Sequence, residues 1–95
     1  MKTAYTLLSN ASATGGWVSW PGGKGDFRVE ATFGGGNVTL QCEAPNGTAI
    51  AVGSTTTLTA NGRGVFELSA GRIRAAVTTA TGVYASVYRI PEAGY

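Results

Sequence analysis

Two glycine-rich stretches are the first places in this chain where chemistry could sit. They are "FGGGN", residues 33–37, and "WPGGKG", residues 20–25. Either could cradle a phosphate through backbone N–H groups, but such a loop needs a helix opening directly behind it, usually with Lys and then Ser or Thr. The first stretch is followed by Val38-Thr39-Leu40 and the second by Asp26-Phe27-Arg28-Val29, which are strand formers in alternating order. Both stretches are therefore expected to be bends, and the first to be the bend of a β-hairpin.

The remaining residue types narrow the chemistry further. The chain has no histidine, which removes every His-dependent acid–base or nucleophilic scheme. Carboxylate-pair catalysis would need two of Asp26, Glu30, Glu43, Glu67 and Glu92 to meet in a cleft. Asp26 and Glu30 instead share the polar side of one segment with Arg28, which reads as a solvated ladder. Cys42 is the single cysteine, so it has neither a disulfide partner nor the companions of a zinc site. Its place after Val38 and Leu40 predicts a buried structural thiol. No calcium-loop motif occurs. The expectation is a protein with no catalytic residues, no metal and no cofactor. Trp17 and Trp20 remain, and they could stack on a sugar or a base. Spaced by three, they face opposite ways on a regular strand, so at most one is in the core. Next to a Pro-Gly-Gly loop, an exposed Trp more often marks a protein contact than a ligand platform.

Positioning these residues falls to strands. No segment keeps a capped i, i+3, i+4, i+7 apolar spacing, whereas period-2 patterns recur. "DFRVEATF" puts Phe27, Val29, Ala31 and Phe33 on one face, and "NVTLQCEA" does the same with Val38, Leu40 and Cys42. Pro45-Asn46-Gly47 is a turn into a strand holding Ile50 and Val52. Thr-rich "STTTLTA" ends at Asn61-Gly62, a favoured two-residue hairpin turn. "RGVFELS" then turns at "SAG" into "GRIRAAVTTA", with Ile73, Ala75 and Val77 on one face. Thr81-Gly82 leads into "GVYASVYRI", closed by Pro91. This last strand carries Val83, Ala85 and Val87 on one side and Tyr84, Ser86, Tyr88 and Ile90 on the other. Both sides are apolar enough to be covered, which fits a doubly buried strand or one turned toward a partner subunit. About eight or nine short strands with turn signals every ~8–12 residues predict an all-β fold: a compact antiparallel β-sandwich or barrel without substantial helix. The 95 residues suit one β domain, with residues 1–14 an extended arm or edge strand.

Composition limits the partners. Only 13% of residues are charged, about half the usual ~25%. A surface so poor in charge is weakly protected against association and suits work inside an assembly. Seven Lys/Arg against five Asp/Glu leave a net charge of +2, without the basic cluster that nucleic acid requires. No stretch approaches the ~20 apolar residues of a membrane span. The apolar part of "MKTAYTLLSNASATGG" is too short for a signal peptide. Nucleic acid, membrane and small-molecule substrate are not expected as partners.

The runs "GGKGDFRVEATFGGGNVTLQCEAPNGTAIAV" and "LTANGRGVFELSAGRIRAAVTTATGVYASVYRIP" resemble a loose group of small all-β structural proteins of tailed bacteriophages. The family-like features are the glycine bend in "TFGGGNVTLQ", the "PNGT" turn, "FELSAGRIRA" and the closing "YASVYRIP". The resemblance implies a non-enzymatic virion protein, foremost a capsid decoration (cement) protein on the capsid surface. Its partner would be the major capsid protein, and its subunits would form a homo-oligomer, with a trimer favoured. A tail, fibre or head-fibre module meeting the host surface or its glycans is the alternative. Trp17, Trp20, Tyr84 and Tyr88 are the candidate protein-interface residues.

Overall fold

A computed structural model describes residues 4–90, and within them the chain is two antiparallel sheets with no α-helix. The first sheet has the order β1 (Ala4–Ala11), β9 (Thr81–Arg89), β3 (Gly23–Thr32), β7 (Gly62–Leu68). The second runs β2 (Val18–Trp20), β8 (Gly71–Thr78), β4 (Asn37–Glu43), β5 (Ala49–Ala51), with β6 (Thr57–Leu58) also on β4. The all-β sandwich expected from the alternating patterns is the architecture observed. The expected closing role of Pro91 lies outside the described residues.

The core is built as the period-2 patterns dictate. Phe27, Val29, Val83, Ala85 and Val87 point inward from the first sheet, and Val38, Leu40, Ile73 and Ala75 meet them from the second. Trp20 caps one end of this core at 2% exposure. Its indole lies edge-on to Tyr5, centroids 5.5 Å apart, and tilted against Phe66 at 5.3 Å. Contacts of this kind add to the burial of the rings themselves.

The connectivity differs from the hairpins expected at the Gly34-Gly35-Gly36 bend and at Asn61-Gly62. Among the described residues only β4 and β5 form a hairpin between consecutive strands; the turn at Pro45-Asn46-Gly47 closes it, with Asn46 Oδ1 accepting from the Thr48 amide and hydroxyl. Most other connections cross the sandwich, because the strands they join belong to different sheets. The bend at Gly34-Gly35-Gly36 is thus no hairpin. It lifts the chain from β3 in the first sheet to β4 in the second. Gly34 and Gly35 take φ values of 58° and 85°, and the Gly36 amide donates to the Phe33 carbonyl at 2.8 Å, as in a type I′ turn. Gly36 then passes so close to β8 that a Cβ there would stand 1.8 Å from the Thr78 carbonyl oxygen.

Asn61-Gly62 is likewise no hairpin turn, since β6 pairs with β4 while β7 pairs with β3. Asn61 instead uses its side chain, accepting from the Ala31 amide at 2.9 Å. "STTTLTA" does not form one strand. Ser54–Thr56 coil into a 3-10 turn that interrupts the chain pairing with β4 and folds over β7, where Thr55 Oγ1 donates to the Val65 carbonyl. The turn before the last strand falls at Thr79-Ala80 rather than Thr81-Gly82, with Thr79 at a φ of 67°. The strand after the Pro45-Asn46-Gly47 turn ends at Ala51, short of Val52, and its Ile50 is 49% exposed at the sheet edge.

Candidate functional site

β9 lies in the interior of its sheet, between β1 and β3, so its backbone is paired on both sides. With Val83, Ala85 and Val87 committed to the core, the pleat turns Tyr84, Ser86 and Tyr88 outward. That side is uncovered: Tyr84 is 49% exposed, Tyr88 36%, and Val65 on β7 45%. Double burial of this strand was one of the two sequence expectations. The structure gives instead one buried and one open face.

Register decides what stands beside the tyrosines. Across β3 and β9, Asp26 pairs with Tyr88, Arg28 with Ser86 and Glu30 with Tyr84. On the other side of β3, Asp26 pairs with Val65 and Arg28 with Arg63. The result is a patch in which charges interleave with aromatic rings. The Arg28 guanidinium lies 4.3 Å from the centroid of the Tyr88 ring, a cation–π contact. Its Nε donates to Asp26 Oδ2 at 2.9 Å, while Arg63 Nη1 donates to Asp26 Oδ1 at 3.2 Å. Between the tyrosines runs a shallow groove of about 200 Å³, lined by Arg28, Val29, Glu30, Tyr84, Ser86 and Tyr88.

Asp26 corrects the picture of a solvated ladder on β3. It is only 4% exposed although it points to the open side, because two arginines and Tyr88 close over it. Asp26, Arg28 and Glu30 are on one face by alternation alone. The signal absent from the sequence is their neighbours, since Arg63 and Tyr88 arrive from strands distant along the chain.

The four aromatic interface candidates do not gather in one place. Tyr84 and Tyr88 share the open face of the first sheet. Trp20 is no surface residue at all: it is buried in the core against Tyr5 and Phe66, which removes it as a contact for a partner. Trp17 is half-buried beside the second sheet, its ring 4.7 Å from the Arg74 guanidinium. Arg74 also donates to Gln41 Oε1 at 2.9 Å, and next to it Arg72 clasps both carboxylate oxygens of Glu43. Polar groups on this outer face thus largely satisfy one another.

Other candidates settle as local structure. Cys42 is half-buried rather than fully enclosed, and it packs on the core beside a small cleft between Glu43 and the β7–β8 turn. Lys24 of "WPGGKG" is exposed on β3, with a strand and no helix behind the loop. Among the described residues no three His, Cys, Asp or Glu side chains converge as a metal cluster would. No helix among them is long and apolar enough to cross a membrane, which leaves membrane β-barrels unaddressed. No protein-family model, curated protein or solved structure matches the chain.

Proposed function

We propose that the chain is a non-enzymatic structural protein of a tailed-bacteriophage virion: a capsid decoration protein that binds the major capsid protein shell and stabilises it. The observation that carries this reading is the open face of the first sheet, where Tyr84, Tyr88 and Val65 stand exposed together. Aromatic rings beside an arginine, on a rigid sheet, are what protein interfaces concentrate at their centres. Folding the chain does not require them there, since the opposite side of β9 already supplies the core.

The charge pattern favours protein over nucleic acid as the partner. Arg28 and Arg63 converge on Asp26 and Arg72 on Glu43, so much of the positive charge is already neutralised. A decoration protein also has little need of a tight single contact. Many copies on a repeating lattice convert modest interfaces into lasting attachment.

Imaging of purified phage particles by electron cryomicroscopy tests the reading. Density for this sandwich at symmetry-related positions over the shell is the expected result. Copies confined to the tail or fibres would overturn it in favour of a host-contact module.

A further inference from the structure

The charges on the open face alternate along β3, from Asp26 to Arg28 to Glu30. The first two satisfy each other, because the Arg28 guanidinium leans toward Asp26 and the Tyr88 ring and away from Glu30. That leaves the outer Nη atoms of Arg28 without a protein acceptor among the described residues. Glu30 is exposed and makes no ion pair or side-chain hydrogen bond among them. One half-used cation and one unused anion therefore stand two residues apart on one strand. Beside them, on β9, a projecting ring alternates with a gap: Tyr84 stands up, and the groove lies over Ser86.

A surface with a donor and an acceptor, a knob and a hole, set side by side on each strand is complementary to itself. We propose that this face binds a second copy of the chain, about a twofold axis that runs parallel to the sheet, midway between the two facing copies, and crosses the strand direction between the Ser86 and Tyr84 positions. Rotation about that axis sets each Arg28 fork against Glu30 of the second copy. It also sets each Tyr84 ring over the other copy's Ser86, in the groove between its two tyrosines. Because the contact is isologous, each interaction occurs twice and the assembly closes at two subunits. This proposed twofold differs from the trimer that the resemblance in the sequence favours.

The size of the face sets the strength. From the spacing of strands and their rise per residue, the open face is about 20 Å by 30 Å. It would bury roughly 600 Å² per copy, just under the size of a standard specific interface, so the dimer is reversible. This inference rests on the reading of the tyrosine face as an assembly surface but needs no capsid: the second copy and the shell compete for that one face, so the reversible dimer is the form of the free protein and attachment to the shell replaces it.

Sedimentation equilibrium on the purified full chain, from micromolar to millimolar concentration, tests it. The wild-type protein is expected to move reversibly from monomer to dimer and to dissociate as salt is raised. Glu30→Lys places two like charges at each pair, and Tyr84→Ser removes the knob. Each change counts twice and should raise the dissociation constant by at least about tenfold. Both side chains are exposed, so the far-ultraviolet spectrum and thermal midpoint should stay at wild-type values. A monomer at every concentration, a trimer, or a dimer indifferent to both substitutions would overturn the proposal. Virions lacking the chain, alongside a dimer that responds in this way, would overturn the decoration role and leave the dimer standing.

Discussion

Asp26 shows how much a single buried charge depends on its neighbours. The carboxylate is nearly inaccessible, whereas the side chains of Arg28 and Arg63 that hold it are 56% and 62% exposed. The partners are therefore not equivalent. Removing the carboxylate returns two guanidinium groups to water, which costs little. Removing both arginines strands a buried anion. Asp26→Asn is expected to cost about 1 kcal/mol, the worth of an ordinary hydrogen bond. The Arg28→Ala/Arg63→Ala double variant should cost about 2–3 kcal/mol, a little below the usual penalty for breaking a buried pair because water can enter. Urea denaturation would show the order, and equal or reversed costs would contradict it. Thr79 makes a second test at this scale. Its φ of 67° is a region that β-branched residues rarely occupy and Asn tolerates. Thr79→Asn should raise stability by about 0.5–1 kcal/mol, seen as a shift of the urea midpoint without change in slope.

At the scale of elements, the alternating segments made the strands legible. "DFRVEATF" and "NVTLQCEA" announce which side chains turn inward, and Phe27, Val29, Val38 and Leu40 are buried accordingly. Pairing was not legible, because alternation fixes a strand's faces and leaves its neighbours open. The glycine bend illustrates the difference. Three glycines between two strands read as a hairpin, yet those strands lie in opposite sheets, and the chain's local code for a tight reversal also serves a crossover. The candidate site suffered in the same way. Tyr84 and Tyr88 were identifiable as surplus apolar residues on one side of a strand, but Arg28 and Glu30 became their companions only through the β3–β9 register. Trp20 and Trp17 divided between core and surface because Trp20 falls at the inward end of β2, which no pattern around it revealed. The crossover glycines respond differently to substitution. Gly35 meets no atom within 4 Å of an added Cβ, so Gly35→Ala bears only the strain of its positive φ, about 1–2 kcal/mol. Gly36→Ala drives a methyl into the Thr78 carbonyl and should cost about 3 kcal/mol or more, or prevent folding. Thermal denaturation of the pair would separate them, and equal losses would show that the crossover is not pressed against β8.

Taken whole, the molecule joins its first strand to its last, since β1 pairs with β9 along one edge of the first sheet. Its short connections mostly shuttle between the sheets, so each sheet is assembled from strands distant in sequence. That arrangement gives a stiff platform, and stiffness suits a surface that must present rings without reorganising on contact. The low charge noted in the sequence now has a location. Among the described residues, one group of ion pairs centres on Asp26 within the tyrosine face and another joins Arg72 to Glu43 on the second sheet, while Glu30 and the exposed rings complete the tyrosine face. Rebinding of purified protein to phage capsids that lack it tests this assembly role most directly. Wild-type protein is expected to saturate the shell at a fixed number of copies. The Tyr84→Ser variant, whose side chain is half exposed and makes no contact with Asp26, should keep the thermal midpoint and bind at least about tenfold more weakly, as the loss of a central aromatic contact demands. Equal binding by the variant would contradict the role given to the tyrosine face, and no binding by the wild-type protein would contradict decoration itself.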